Sequence, residues 1–365
     1  MSEANVSSAP QFSILLPTHN RSDVLYFAIR SVLAQTVSDF ELLVVGDGCT
    51  DDTRQVVKSF NDPRVIWFDL PKAPNFGYAN RNVALRTARG ELIAFMAHDD
   101  LWFPDHLESL APAFVDQSIE LVYSRPLWVI PPGLLAPTTF NLEYEETLNS
   151  FLHGHNSIPA ACVVHRRQCF LNYGYWNESL PSCADWDMWA RIIEGGGRKN
   201  FTYFPEPTSL HFRANWRTEA STGQPQLLVW KRLHALEEFM PAELKIHIPE
   251  GLSEQEAVWQ HMSRNPGDWV KKTRSAVRQI LDARISESDE LLGSMLKVNP
   301  SLTLDAEDLG QLVTEMAPVL RFSRASMEWK FLRLLVQGKR RALPVGTRRQ
   351  KLWSRIVRRL HSKLS

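Results

Sequence analysis

The 365-residue sequence contains neither of the glycine-rich signatures with which most nucleotide-binding chains hold phosphates: GxGxxG and GxxxxGK[ST] are both absent. That argues against a dinucleotide-dependent dehydrogenase and against a P-loop NTPase. Cysteine is scarce. Cys49, Cys162, Cys169 and Cys183 form no CxxC pair and show no Cys/His ligand spacing, so a reduced, cytosolic protein without structural zinc is expected. Long apolar runs are missing too, since the uncharged stretch 126–141 contains four prolines and a glycine, which argues against a membrane span. Residues 2–10 are polar and lack the basic and apolar segments of a secretory leader, so none is expected. Net charge is zero, with 41 basic and 41 acidic side chains, yet the chain is polarised. Residues 331–365 hold eleven Lys or Arg and no Asp or Glu, which leaves an acidic body and a basic tail.

What is present centres on Gly90-Glu-Leu-Ile-Ala-Phe-Met-Ala-His98-Asp99-Asp100. Residues 92–97 are apolar enough for a buried strand, and the run stops at a histidine and two carboxylates. In open α/β sheets ligands bind at the carboxyl ends of strands, and paired carboxylates there suit a divalent cation carrying phosphate oxygens. The alternative is that Asp99 or Asp100 caps a helix beginning near Pro104.

Strand and helix alternate up to this point. Strands are expected at 12–17, 40–45 and 65–68, and helices from Ser22 or Asp23, through Val56 to Phe60, and over 77–88 with Gly90 as stop. That order predicts a doubly wound, mostly parallel sheet of the α/β class. The polar loops 18–21, 47–53 and 98–100 then share one edge of the sheet, where a nucleotide can lie across them.

The runs Ile-Leu-Leu-Pro17-Thr-His-Asn20-Arg21, Val-Val-Gly-Asp47-Gly-Cys-Thr-Asp51-Asp52-Thr, Arg81-Asn82 before Ala88-Arg-Gly90, and His98-Asp99-Asp100 with Pro104 together resemble family 2 glycosyltransferases. The resemblance covers roughly residues 11–220. It implies the GT-A fold and an inverting transfer of a sugar from a nucleoside diphosphate sugar to an acceptor hydroxyl, usually with Mn²⁺ or Mg²⁺. It gives donor-binding roles to Pro17, Thr18, Asn20, Arg21, Asp47, Arg81, His98 and Asp99, with Asp99 on the metal. For His98 a ribose or phosphate contact and a solvent-exposed loop histidine both remain open. Two departures stand out: Gly46 replaces the first Asp of an Asp-Asp-Gly-Ser loop, and Ala97 and His98 replace the first two residues of Asp-Ser-Asp-Asp.

A second stretch is Cys183-Ala-Asp185-Trp-Asp187-Met-Trp-Ala-Arg191-Ile-Ile. Trp186, Trp189, Ile192 and Ile193 fall on one helical face, which puts Asp185 in or just before the first turn, where it could serve as a cap. The resemblance matches it to the general base, with Ala184 in place of the usual Glu or Gln. Asp187 could simply favour the helix dipole. His211 lies where related enzymes bring a histidine to the metal, although the usual Tyr-Arg-x-His order is not reproduced. No QxxRW motif occurs, which disfavours a processive synthase. His153 and His155 are too weakly spaced for a metal pair and are read as structural or acceptor-side residues.

Beyond residue 223 the pattern is helical, with segments at 227–240, 253–262, 269–283, 289–296, 306–316 and 326–336. The expected organisation is a glycosyltransferase domain at 11–223, with a donor half 11–104 and an acceptor half 105–223, a helical accessory domain at 224–338, and a tail helix at 345–365. Trp259 and Trp269 are read as core residues. In the tail, Leu352, Trp353, Ile356, Val357, Leu360 and Leu364 share one face against seven basic residues, which predicts attachment to an anionic membrane surface. Docking on the acidic body is the rival reading. The expected acceptor is a glycan or lipid-linked glycan at the cytoplasmic face of a membrane, and no nucleic acid is expected. A non-catalytic, membrane-tethered nucleotide-sugar binding module and a nucleotidyltransferase are the alternatives.

Overall fold

Apolar residues that alternate between two faces require cover on both, and β1 (Phe12–Thr18) shows the result. Phe12, Ile14 and Leu16 face one core and Leu15 faces the other. The computed structural model describes residues 9–212 and 241–286, apart from positions 132, 139, 155 and 157. In chain order the elements are β1, α1 (Ser22–Leu33), β2 (Phe40–Asp47), α2 (Thr53–Ser59), β3 (Val65–Leu70), α3 (Tyr78–Leu85), β4 (Leu92–Phe95), β5 (Leu101–Trp102) and α4 (His106–Leu110). There follow β6 (Leu121–Ile130), β7 (Leu134–Pro137), α5 (Glu145–His153), β8 (Val163–Arg166), α6 (Cys169–Tyr173), α7 (Ala184–Gly196), β9 (Phe201–Phe212), α8 (Glu254–Ser263) and α9 (Pro266–Ser286).

Among the described residues the strands form one sheet in the order β3-β2-β1-β4-β8-β6-β9-β5, with β7 added on β6. The first four are parallel, as expected. The second half is mixed: β8 runs antiparallel to β4 and β6, β9 parallel to β6, and β5 antiparallel to β9. One face is covered by α1 and α4, through Leu25, Ile29, Val32, Leu107 and Leu110. The other is covered by α3 and α7, through Tyr78, Leu85, Met188, Trp189 and Ile192.

Three local readings differ from the sequence pattern. Residues 121–123 and 127–130 read in the sequence as two short strands, but they are a single strand, β6, whose register shifts at Arg125 accommodate Pro126, because a proline with no N–H is tolerated in a sheet at a bulge. Pro205 to Pro207 read in the sequence as a turn, yet they lie inside β9, where Arg125 Nε donates to the Pro205 carbonyl across the irregularity, 2.8 Å. Neither Asp99 nor Asp100 caps a helix: α4 follows Asp105 with no side-chain cap.

The described part of the helical region, residues 241–281, belongs to one compact unit with the sheet. Ser253 caps α8 by accepting from Glu256 N–H at 3.1 Å. Trp259 is half-buried with the Arg30 guanidinium over its ring, and Trp269 is buried edge-on to Phe103 at 4.9 Å. The helices expected at 227–240 and beyond 286, His155 and the basic tail lie outside the described residues.

Two fully buried imidazoles couple the fold to pH. His165 lies between Phe95 and Phe170, at 5.3 and 5.0 Å, and its Nδ1–H donates to the Arg166 carbonyl. His106 stacks on Trp102 at 4.2 Å. Burial pushes their pKa values down, to about 4 for His165 and about 3 for His106. Both are therefore neutral when folded, whereas an unfolded histidine takes up a proton below about 6.5. Stability should fall as pH drops below that point, by about 1.4 kcal/mol per pH unit for each histidine. Denaturant melts of His165→Gln between pH 6.5 and 4.5 should show the slope reduced by about one proton. An unchanged slope would mean that His165 titrates normally.

Candidate active site

The central strand ends at Phe95, and Met96 N–H still reaches the Leu15 carbonyl at 2.8 Å. A turn then closes through Asp100 N–H to the Ala97 carbonyl, 3.3 Å. The pairing of Leu101 with Leu210 carries β9 alongside, and it sets His211 against Asp100. The Asp100 side chain is 1 % exposed. Its two oxygens each lie 2.9 Å from His211 Nδ1, and Oδ1 also accepts from Phe212 N–H at 3.1 Å. Burial raises the Asp100 pKa, and His211 opposes that rise. The Trp128 ring stands edge-on to His211 at 4.4 Å.

Asp99 is differently placed. Its carboxylate meets Arg21 Nη1 at 3.7 Å and His98 Nε2 at 3.9 Å, both longer than a hydrogen bond. Burial lowers the His98 pKa, with Asp99 opposing and Arg21 reinforcing the effect. Among the described residues, no group of three or more His, Cys, Asp or Glu could hold a metal ion. Asp99 and His211, the expected ligands, are linked instead through Asp100. A carboxylate and an imidazole are nonetheless donor types that suit a divalent cation. A buried carboxylate that holds Nδ1 orients the ring for coordination through Nε2, the usual arrangement behind a ligating histidine. A hard cation can complete its shell with diphosphate oxygens and water.

The donor loops lie at the neighbouring strand ends. Pro17 and Thr18 pair in register with Val45 and Gly46. Thr18 is buried, and its Oγ1 finds no hydrogen-bond partner among the described residues. Asn20 adopts φ 50°, and its Oδ1 accepts from Thr50 N–H at 2.8 Å, which ties the first loop to the second. Burial alone would raise the Asp51 pKa, but bonds from Thr53 and Ser22 hold it down to about 2.

Asp47 is buried, and its Oδ1 accepts from Ala73 N–H at 2.8 Å and Asn80 Nδ2 at 2.7 Å. Oδ2 pairs with the Lys72 ammonium. Burial works to raise its pKa, but these donors and the Lys72 charge hold the carboxylate below its usual range. Gly77 sits at φ 75°, where a Cβ would lie 2.5 Å from Asp47 Oδ2, so both its backbone and its surroundings require glycine. Lys72, Ala73 and Asn80 were not legible as Asp47 partners. Only Asn80, in Asn80-Arg81-Asn82, carried any sequence signal.

Arg81 joins this pocket to the next. Its guanidinium lies over Tyr78 and Trp176 at 5.0 and 5.1 Å, and Nε has no partner among the described residues. Burial lowers its pKa, and the charges of Asp185, Tyr78 and Asp47 oppose the shift.

At the start of α7 the cap position is Cys183, in the left-handed region at φ 58°. Asp185 is therefore one residue inside the helix, where its Oδ1 accepts from its neighbour Trp186 N–H at 2.9 Å. Burial raises the Asp185 pKa, with Trp186 N–H, Arg81 and His211 opposing. Asp187 is committed elsewhere, to Arg191 at 3.0 and 2.9 Å, and Arg191 also holds the Tyr175 carbonyl. Of two carboxylates that look alike in the sequence, one braces the helix and the other shares an electrostatic neighbourhood with Arg81 and His211. His153 is at the end of α5 with Nδ1 3.2 Å from the Asn149 carbonyl, a structural place.

Comparison with known proteins gives one family match and several relatives. Residues 13–167 match the model described as Glycosyl transferase family 2. An uncharacterized glycosyltransferase of Rickettsia felis is 27% identical over 199 residues, covering 50% of this chain and 31% of the relative. The chondroitin synthase of Escherichia coli is 29% identical over 217 residues, covering 57% of this chain and 30% of that one. The aligned part thus spans less than a third of either relative. A crystal structure of S. aureus TarS 1–349 in complex with UDP-GlcNAc is similar at a TM-score of 0.48 and 19% identity, covering 91% of each chain. Residues 13–167, which carry the donor loops and the acidic turn, belong to glycosyltransferase family 2.

Proposed function

We propose that this glycosyltransferase is inverting and metal-dependent, and that it moves one sugar per encounter from a nucleoside diphosphate sugar to a hydroxyl of a glycan or lipid-linked glycan. The observation that carries this reading is the set of groups brought together from distant parts of the sequence: Asp99 beside Arg21 and His98, Asp100 fixing His211, and Asp185 within the electrostatic reach of both Arg81 and His211. Asp47 supplies an ionised acceptor for the base, with Pro17, Thr18 and Asn20 lining the adjoining strand ends. Arg21 and Arg81 place positive charge where a diphosphate would lie.

Asp99 and His211 would hold Mn²⁺ or Mg²⁺. The cation, when bound, would neutralise charge on the leaving diphosphate. Asp185 takes the acceptor hydroxyl's proton as that oxygen bonds to the anomeric carbon. The bond from this carbon to the diphosphate oxygen breaks, and the electron pair leaves with the nucleoside diphosphate. Attack from the face opposite the leaving group inverts the centre. A carboxylate whose proton affinity is raised by burial is a stronger base than an exposed one, which suits this role.

Asp185→Asn keeps nearly the same volume and a hydrogen-bond acceptor, so it separates proton removal from helix integrity. Turnover should fall on the order of 10²- to 10⁴-fold with nucleotide affinity little changed. Retention of most activity in Asp185→Asn, together with its loss in Asp187→Asn, would assign the base to the other carboxylate. Asp99→Ala should abolish both transfer and the tightening of nucleoside diphosphate binding by Mn²⁺, measured calorimetrically, while the circular dichroism spectrum stays native. Tightening that survives the substitution would remove Asp99 from the metal.

The basic tail motivates the location proposed, the cytoplasmic face of an anionic membrane. Seven Lys or Arg lie between Arg348 and Lys363. Each contributes about 1 kcal/mol near such a surface, and the apolar stripe adds burial that salt does not screen. Deletion of residues 345–365 should abolish co-sedimentation with phosphatidylserine vesicles and leave nucleotide binding intact. If the truncated protein sediments as well as the full chain, the tail docks elsewhere.

A further inference from the structure

The acidic segment is gripped from outside the matched domain. Gln255, on α8, is buried, and its Nε2–H donates to the Asp99 carbonyl at 3.2 Å. At the other end of the same segment, Arg274 on α9 forms a two-pronged ion pair with Asp105, at 2.6 and 3.1 Å, and lies over the Phe103 ring. Arg274 Nε also donates to the Pro207 carbonyl at 3.0 Å, and Arg278 pairs with Glu206 at 2.7 Å. Both accept on β9, the strand that carries His211. Two helices therefore fasten the start and the end of residues 99–105, together with the strand whose histidine faces Asp100.

This arrangement constrains the direction in which Asp99 points. Its peptide carbonyl belongs to a turn in which Asp100 N–H reaches the Ala97 carbonyl at 3.3 Å, a long bond. The Asp100 carboxylate is held by His211 and Phe212, so a change of backbone at Asp99 would redirect chiefly the Asp99 side chain, and the Gln255 amide opposes it by holding the carbonyl oxygen. Gln255 is itself fixed, because Ser253 caps its helix and Ala257, Val258 and Met262 bury the face behind it.

We propose that Gln255 is a positioning residue for the metal-binding turn, and that residues 254–281 complete the catalytic centre rather than append to it. The proposal rests on the metal reading given above. A helix that arrives more than 150 residues later in the chain thus sets the geometry of the acidic turn. Arg274 does the same for β9. Loss of the Gln255 bond takes a partner from the half-buried Asp99 carbonyl, and a turn relieved of that bond samples other backbone orientations.

Two variants test this. Gln255→Met removes the amide at similar volume. Gln255→Glu keeps the shape but turns the donor into an acceptor. Nucleoside diphosphate affinity is measured calorimetrically with and without Mn²⁺, and amide exchange over residues 97–103 is followed in the metal-free protein. In both variants the Mn²⁺-dependent gain in affinity should fall about tenfold, the metal-free affinity should hold within about twofold, and exchange over 97–103 should rise. A purely structural role predicts instead that both affinities fall together with the melting temperature, and that outcome overturns the proposal. So does an Mn²⁺ gain equal to that of the unsubstituted protein. If the unsubstituted protein shows no Mn²⁺ gain at all, the metal reading itself fails and the positioning role falls with it.

Discussion

A carboxylate cannot remain charged and buried without partners, and Asp100 is the residue around which this structure satisfies that requirement. Its oxygens take Phe212 N–H and His211 Nδ1, which joins the end of the central parallel strand to the last described strand of the sheet. Had Asp100 pointed outward, nothing in its own loop would fix His211. Paired as it is, the two halves of the sheet meet at one corner. Removing either partner would leave a desolvated charge or polar group, at a cost of several kcal/mol for the carboxylate. The chain has therefore placed a costly interaction where two elements must be held in register, and the half-buried Asp99 lies one residue away.

The parallel half of the fold was legible because its signals are local. Runs such as Ile14 to Leu16 and Leu42 to Val45 are apolar on both faces, and the polar residues that follow each run lie at one edge once the strands align. Asp47, Asp99 and Asp185 could be picked out for that reason and from the motif order. Pairings across long separations were not legible. Nothing near Asp100 announces that its partner lies 111 residues away, and nothing in α8 announces that Gln255 meets the Asp99 carbonyl. The family resemblance alone favoured Asp185 over Asp187, and the structure adds that Arg191, four residues along the helix, occupies Asp187. Bulges were misread for a related reason: a proline reads locally as a turn, whereas Arg125 supplies a donor across the gap that lets β6 and β9 continue.

Asp47 shows how fixed donors offset the burial of a carboxylate. Asp47 is as buried as many core residues, a setting that raises a carboxylate's proton affinity, yet four interactions reverse the direction. Ala73 N–H and Asn80 occupy Oδ1, while Lys72, half exposed, is the donor on Oδ2. An anion held ionised by fixed donors on one oxygen can accept from a base on the other. Gly77 makes the enclosure possible, since any side chain there would strike the carboxylate.

The departures from the family pattern are then packing substitutions rather than a loss of chemistry. A Cβ at Gly46 would fall 2.1 Å from the Trp67 ring, so the indole on β3 takes the space that an aspartate side chain would need. The second carboxylate of that loop is missing because its place is filled, while Asp47, the next residue along, keeps its donors. Ala184 is fully buried within the cluster of Tyr78, Trp176 and Met188. A glutamate there would bury an uncompensated charge beside Asp185 and raise that residue's proton affinity further, by like-charge repulsion in a poorly screened site. Alanine at 184 therefore spares Asp185 that added repulsion, and Arg81 and His211 remain to counter its burial. The first two residues of the acidic motif follow the same logic. Ala97 contributes its carbonyl to the turn, and His98 stands where a polar side chain can meet Asp99 without adding negative charge. What the chain has given up at these positions is redundant carboxylate. Three carboxylates remain here: Asp99 and Asp185, both half-buried, and the buried Asp100, which orients His211.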